Sequence, residues 1–174
     1  MDLEARLRRL EDKEEIRQLV TRYGLVVDEM DLDGIADLFT PDAELCSRDG
    51  VFAAKGIEAI LDTYRARFEV LGPTYHYVHG QTIDLDPDDP DRARGITTSH
   101  AEVVRNGEAM MVAVVYHDEY RRFQGAWRFA RREMAFFYYL RPADYAAALP
   151  TPWRVRAYDS PHPADYPHRS AQGG

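Results

Sequence analysis

The chain has one cysteine, Cys46, and two lysines, Lys13 and Lys55, in 174 residues. A single thiol forms neither an intrachain disulfide nor a cysteine-based zinc site. Cys46 also stands in a short strand pattern with no motif around it, which makes it a poor candidate nucleophile. No apolar run approaches the ~20 residues that span a bilayer. There is no Gly-rich phosphate loop, no dinucleotide fingerprint, no His-Glu-x-x-His and no Gly-x-Ser-x-Gly. Acidic residues outnumber basic ones, 30 to 22, for a formal charge of -8. That balance argues against general affinity for nucleic acid or an anionic membrane. The acidic run Asp84, Asp86, Asp88, Asp89, Asp91 has Asp89 and Gly95 where a calcium loop needs its glycine and its glutamate. It therefore reads as a solvated turn, and no metal site is expected.

What is present is an ordinary globular composition, 45% hydrophobic and 30% charged, enough for one domain with a tail. The charged, amphipathic N-terminus reads as helix rather than as a secretory leader, so a cytoplasmic location is expected. Helical spacing runs from Leu3, Leu7 and Leu10 through Ile16, Leu19, Val20, Tyr23, Val26 and Val27. A short helix with Ile35, Leu38 and Phe39 on one stripe ends at Thr40-Pro41-Asp42. A strand pair is expected around the turn Arg48-Asp49-Gly50, and a third helix over 56–70.

After Pro73 the period changes to two. Strands are predicted at 74–85, 93–105, 109–121 and 127–140, joined by short connectors that include the hairpin signal Asn106-Gly107. Short connectors mean antiparallel neighbours. The fold class is therefore α+β: a cone-shaped α+β barrel in which N-terminal helices pack on a curved, mainly antiparallel sheet and enclose a pocket. The domain is placed at 1–140. Residues 141–174, with six of the ten prolines, form a proline-rich tail that includes His162 and His168, both expected to face solvent.

Four polar residues stand in apolar surroundings. Asp28 ends a hydrophobic helix segment, and Tyr23 precedes it by five residues, about 140° away around an ideal helix. Sharing a pocket therefore needs a wide inner face or a distortion near Gly24. His76 opens the first long strand. Arg132 alternates with Met134, Phe136 and Tyr138, where a guanidinium needs an acidic partner or an anionic ligand. Each also has a structural reading: Asp28 as a cap, His76 and Tyr23 as core, Arg132 as an ion pair with Glu133 or Glu102.

The segments Glu15-Ile16-Arg17-Gln18-Leu19 through Tyr23 and Asp28, Leu38-Phe39-Thr40-Pro41-Asp42-Ala43-Glu44, Tyr75-His76-Tyr77, Tyr116-His117-Asp118-Glu119-Tyr120 and Gly125-Ala126-Trp127-Arg128-Phe129 through Arg132 carry a family resemblance. In this order, over roughly 10–140, the chain resembles the SnoaL-like branch of the nuclear transport factor 2-like superfamily. That branch holds scytalone dehydratase, hexachlorocyclohexane dehydrochlorinase and bile acid 7α-dehydratase. The resemblance implies a catalytic dyad of Asp28 and His76. It also implies a further catalytic residue at Tyr23, where the dehydrochlorinase has lysine and the bile acid enzyme tyrosine. Arg132 falls on a late-strand arginine, and His100 on a second histidine of scytalone dehydratase. A homotrimer is implied as well, with a dimer as the alternative.

Imidazole is a competent base at neutral pH, and a buried carboxylate fixes its tautomer. His76 is thus read as the base for a C–H proton and Asp28 as its orienting partner. Tyr23 is the phenol that polarises a carbonyl or protonates a departing hydroxyl, and Arg132 stabilises developing charge. An apolar lining is expected from Phe39, Phe52, Leu61, Phe68, Met110, Val114, Phe136 and Tyr138, suited to a small hydrophobic molecule. The expected function is a cofactor-independent lyase, a dehydratase acting on a steroid- or polyketide-type ring compound. The alternatives are an isomerase or cyclase using the same base, or a non-catalytic ligand-binding or dioxygenase small-subunit role. Residues 141–160, with Trp153 and Tyr158, are placed at the pocket mouth.

Overall fold

The computed structural model describes residues 2–167, so His168 lies outside the described residues. Helix α1 (Leu3–Asp28) starts where the Asp2 carboxylate accepts the Ala5 N–H at 2.8 Å. This is an N-cap that satisfies one of the helix's orphan donors. Its second half buries Ile16, Leu19, Val20, Tyr23 and Val27 against the sheet. Leu3, Leu7 and Leu10, expected on the same inner stripe, are exposed, Leu3 at 79%. The early leucines keep helical spacing but have no partner surface.

Helix α2 (Leu32–Ala36) is capped by Asp31, whose carboxylate accepts the Gly34 N–H. It ends earlier than its apolar stripe suggested. Phe39 and Thr40-Pro41-Asp42 already belong to strand β1 (Phe39–Ser47), which turns back into the short β2 (Ala53–Lys55). Helix α3 (Ile57–Val70) leads directly into β3 (Leu71–Leu85), followed by β4 (Arg92–Arg105), β5 (Glu108–Phe123) and β6 (Ala126–Leu140). The turns at Asn106-Gly107 and Gln124-Gly125 each place both central residues at positive φ, the conformation that a two-residue hairpin turn requires. In the β3–β4 connector, the Asp86 and Asp89 carboxylates accept the N–H groups of Asp88, Asp89 and Asp91. These are the turn bonds that the composition predicts.

The six strands form one sheet in the order β2-β1-β6-β5-β4-β3. All neighbours are antiparallel except β1 and β6, which run parallel. Helices α1 to α3 pack on one face, and the curved sheet and these helices together make the expected cone. Two irregularities in the β5–β6 ladder decide which side chains enter it. Tyr120 pairs with Phe129 and Glu119 with Arg131, so Ala130 is an extra residue; Val114 pairs with Phe136 and Ala113 with Tyr138, so Phe137 is another. Each bulge reverses the alternation of the strand.

Beyond β6 comes a 3-10 turn (Pro142–Asp144) and helix α4 (Tyr145–Ala148), which covers Tyr138 and Leu140 on the outer face of the sheet. The chain then returns along the part of β6 that β1 leaves unpaired. Tyr139 exchanges backbone bonds with Arg154 and Arg156; the Asp165 N–H donates to the Phe136 carbonyl, and the Asp165 carboxylate accepts the Phe136 N–H. Val155 is fully buried, Tyr158 packs on the main core and stacks edge-on with His162, and Trp153 is exposed.

Candidate active site

The inner face holds a chamber of about 90 Å³ lined by α1 (Tyr23, Val27), α3 (Tyr64, Arg67, Phe68) and the inward residues of β3 to β6. Its chemistry centres on β3. The Asp28 carboxylate accepts two hydrogen bonds from one residue: the His76 backbone N–H at 3.0 Å, and a bond with His76 Nδ1 at 2.6 Å. Both side chains are 13% exposed. An ionised carboxylate only accepts, so Nδ1 carries the proton and Nε2 carries the lone pair. The cap reading of Asp28 is thereby replaced, since its oxygens point across to the sheet and Asp31 caps the next helix.

Gly24 makes this approach possible. A Cβ there would lie 3.2 Å from the His76 Cβ, so the missing side chain lets α1 settle against β3 where the dyad meets. The helix stays regular through Asp28. Tyr23 lines the chamber directly and Asp28 acts on it through His76, and the Tyr23 ring stands edge-on to His76 with centroids 6.4 Å apart.

The Tyr23 hydroxyl bonds the Tyr64 hydroxyl at 2.6 Å in a buried site. Burial pushes the Tyr64 phenol well above its ordinary range, with the neighbouring phenol next in effect. Tyr64 therefore holds its proton at neutral pH. Tyr64 has the right spacing to be read as core in the sequence, and its role shows only through its partner.

Arg132 is fully buried and grips Asp118 with two parallel bonds of 2.8 Å, from Nε and Nη2. Burial works against its charge, but the Asp118 carboxylate outweighs that and raises its pKa. Tyr120 donates a further bond to Asp118 at 2.9 Å. The guanidinium carbon lies 4.1 Å from each of the Tyr23, Tyr116 and Phe129 ring centroids. Arg132 therefore stands behind Tyr23, outside the chamber lining, with Asp118 as its partner in place of Glu133 or Glu102. Direct contact with a reacting group is not what this geometry offers; positioning of Tyr23 is.

Of the expected lining, Phe68, Val114 and Phe136 face the chamber. Phe39 packs behind Tyr23, against Phe129. Phe52 lies under Arg67, and Leu61 and Met110 belong to the surrounding core. Tyr138 is on the opposite face of the sheet, because the Phe137 bulge sends Tyr139 inward in its place. His100 also faces outward, where it bonds His79 at 2.8 Å. It lines an open groove with Tyr75, Tyr77, Glu102 and Met111. The one cysteine is half-buried, with its pKa raised by burial and its sulfur beside Arg131.

Among the described residues, no helix is long and apolar enough to cross a membrane. Comparison with known proteins agrees with the cone. The gamma-hexachlorocyclohexane dehydrochlorinase of Sphingobium indicum is 28% identical over 137 residues, covering 76% of this chain and 85% of the relative. The crystal structure of LinA superimposes with a TM-score of 0.70 at 25% identity, over 79% of this chain and 93% of that one. A scytalone dehydratase-like protein from Novosphingobium aromaticivorans shares the fold, with a TM-score of 0.73 at 19% identity over 94% and 97% of the two chains. A family model for the SnoaL-like domain matches residues 8–133, a span running from α1 through the Asp118–Arg132 clamp, and the chain belongs to that family.

Proposed function

We propose that the protein is a cofactor-independent lyase that removes a proton from carbon beside a carbonyl or similar activating group and expels water from a hydrophobic ring compound. The observation that carries this reading is the Asp28–His76 pair, bonded at 2.6 Å, with His76 on the wall of a mostly apolar chamber. Likeness to a dehydrochlorinase, an enzyme that eliminates across a carbon–carbon bond, supports the lyase class.

In the proposed step His76 Nε2 takes the proton. The C–H electron pair becomes the new double bond, by way of an enolate where a carbonyl is present. The hydroxide leaves with its own pair and is protonated by Tyr23, which Tyr64 holds in place. The imidazolium is stabilised by Asp28 and returns its proton through solvent, and Tyr23 is reprotonated in the same way. Arg132 enters through the Tyr23 ring, which it fixes from behind. The apolar lining limits competing water and strengthens each of these interactions.

The chamber, at about 90 Å³, is smaller than the ~150 Å³ pocket that takes benzene. Any ring compound, a single benzene ring included, therefore enters only as the lining side chains yield. The test is incubation with hydroxylated cyclic ketones and mass spectrometry of the products. Loss of one water supports the lyase, unchanged mass with altered structure supports an isomerase or cyclase, and binding without turnover supports a ligand-holding role. The homo-oligomer, with three copies favoured, is part of the same proposal; a sedimentation mass near one 20.0 kDa chain overturns that part.

A further inference from the structure

The chamber wall carries one formal charge that its surroundings leave unanswered. Arg67, one turn after Tyr64 on α3, lines the chamber. Its guanidinium lies flat over the Phe52 ring at 4.3 Å and near the Tyr64 ring at 5.3 Å. Among the described residues no carboxylate comes within ion-pairing distance of it, whereas Arg48, Arg121, Arg122, Arg131, Arg132 and Arg141 all have one. No aspartate or glutamate lines the chamber. Asp28 accepts both N–H groups of His76, Asp118 is occupied by Arg132 and Tyr120, and Asp49, exposed in the turn after β1, acts on the Tyr158 phenol and pushes it up.

A second cation approaches the same wall. Arg105 bonds the Tyr139 hydroxyl, and its Nε is buried without a partner. Arg67 and Arg105 both act on Tyr139 of β6 and on Tyr158 of the C-terminal segment, opposing the upward push of burial on each phenol. Two half-buried guanidinium groups with no carboxylate at ion-pairing distance among the described residues leave charge available to an anion that joins them. A planar guanidinium stacked on an aromatic ring is also pre-organised for a carboxylate's two oxygens.

We propose that the substrate carries an anionic substituent, a carboxylate in the simplest case, which Arg67 holds with the assistance of Arg105 at the wall shared by α3, β6 and the Tyr158 segment. This rests on the lyase reading for what happens at His76, and it narrows the substrate class to a hydrophobic ring acid. The anionic group anchors one end of the molecule while the apolar walls take the ring.

The test is an NMR titration of the full-length protein at neutral pH with benzoate and with benzamide, an uncharged molecule of nearly the same shape. Wild-type protein is expected to bind benzoate about tenfold more tightly, the scale of a charge-assisted contact. Arg67→Gln and Arg67→Met are expected to bring benzoate down to the benzamide level and leave benzamide unchanged, the methionine variant keeping the packing of the stem over Phe52. Equal affinities in wild type, no benzoate binding at all, or a preference for benzoate that survives both substitutions overturns the proposal. His76→Gln separates it from the lyase reading. An anion preference kept in that variant supports the subsite whatever happens to turnover, and turnover that depends on His76 without any anion preference sinks the subsite alone.

Discussion

Two histidine pairs share strand β3 and have opposite surroundings. His76 faces inward, 13% exposed, and its partner is a carboxylate on α1. His79 faces outward, and its partner is another imidazole, His100 on β4. Three residues apart on a regular strand, the two side chains point to opposite faces; the β3–β4 register shift, from Val78 opposite Ser99 to Gln81 opposite Thr97, is not needed for it. The inner pair fixes a tautomer and supports an imidazolium, because its partner is an anion. The outer pair does neither: one ring nitrogen must accept from the other, and a proton on one discourages a proton on the other. Geometry of comparable quality therefore supports base chemistry on one face only.

Replacing His76 is the most severe way to press that comparison. His76→Gln is expected to lower turnover about 10⁴-fold, the upper end for a lost general base. His79→Gln and His100→Gln are expected to stay within about twofold, as surface changes away from such features do. An assay ranking the outer histidines with His76 breaks the comparison. Asp28→Asn follows, with a fall of about 10³-fold, since an amide no longer selects the Nδ1–H tautomer. Nitrogen-15 NMR checks the cause without any substrate: in wild type the His76 Nδ1 resonance is that of a protonated nitrogen and Nε2 that of an unprotonated one, and Asp28→Asn removes this bias.

The inner and outer faces also show how much of the molecule was legible in its residues. The four long strands, the Asn106-Gly107 turn and the meeting of positions 28 and 76 were expected, the last through family likeness. The outward turn of Tyr138 and the Arg132–Asp118 pairing were not. Counting back from the Gln124-Gly125 turn without a bulge puts Arg132 opposite His117. The single extra residue Ala130 moves it to Asp118, and a bulge at an alanine between charged residues leaves no mark in an alternation pattern. Tyr64 keeps the helical spacing of Ile60 and Leu61, both buried with it, but a phenol in a helical stripe looks the same whether its hydroxyl meets another phenol or backbone. The outward face of His100 shows only in the structure, where its neighbours Ser99 and Ala101 are the buried residues; the family likeness had placed it in the site.

Beneath the inner dyad, the Asp118–Arg132 clamp tests whether the charge behind Tyr23 is structural or positional. Asp118→Asn leaves a fully buried guanidinium without its counter-charge, expected to cost about 3–5 kcal/mol and to lower the thermal midpoint on the order of 10 °C. Turnover per folded molecule is expected to fall about tenfold as Tyr23 loses its backing, with the His76 tautomer unchanged. A variant that keeps its melting temperature shows that the clamp contributes little. Gly24→Ala should do the converse. Alanine improves helix propensity by roughly 1 kcal/mol, but its Cβ sits 3.2 Å from that of His76. Stability is expected to stay close to wild type while activity drops about tenfold. Unaltered activity means that β3 yields without moving the imidazole.

The smallest effect concerns the outer pair and acid. Burial and then the neighbouring His79 hold the His100 pKa below its ordinary 6.5. Its surroundings add only the Tyr138 ring, 6.0 Å away, and His79 itself. The native state thus binds a proton here less readily than the unfolded chain does, so unfolding takes up protons in the range between the two pKa values. Stability from this site is fully present above about 6.5, the unfolded value, and is lost as pH falls through the lower folded value. Because His100 is solvent-exposed, screening keeps the effect slight. His100→Gln should therefore make the thermal midpoint fall less steeply between neutral and mildly acidic pH, with no change in the midpoint at high pH attributable to protonation. A steeper acid fall in the variant reverses the sign and means that the outer imidazoles share a proton favourably, which would remove the contrast with the carboxylate-backed pair on the inner face.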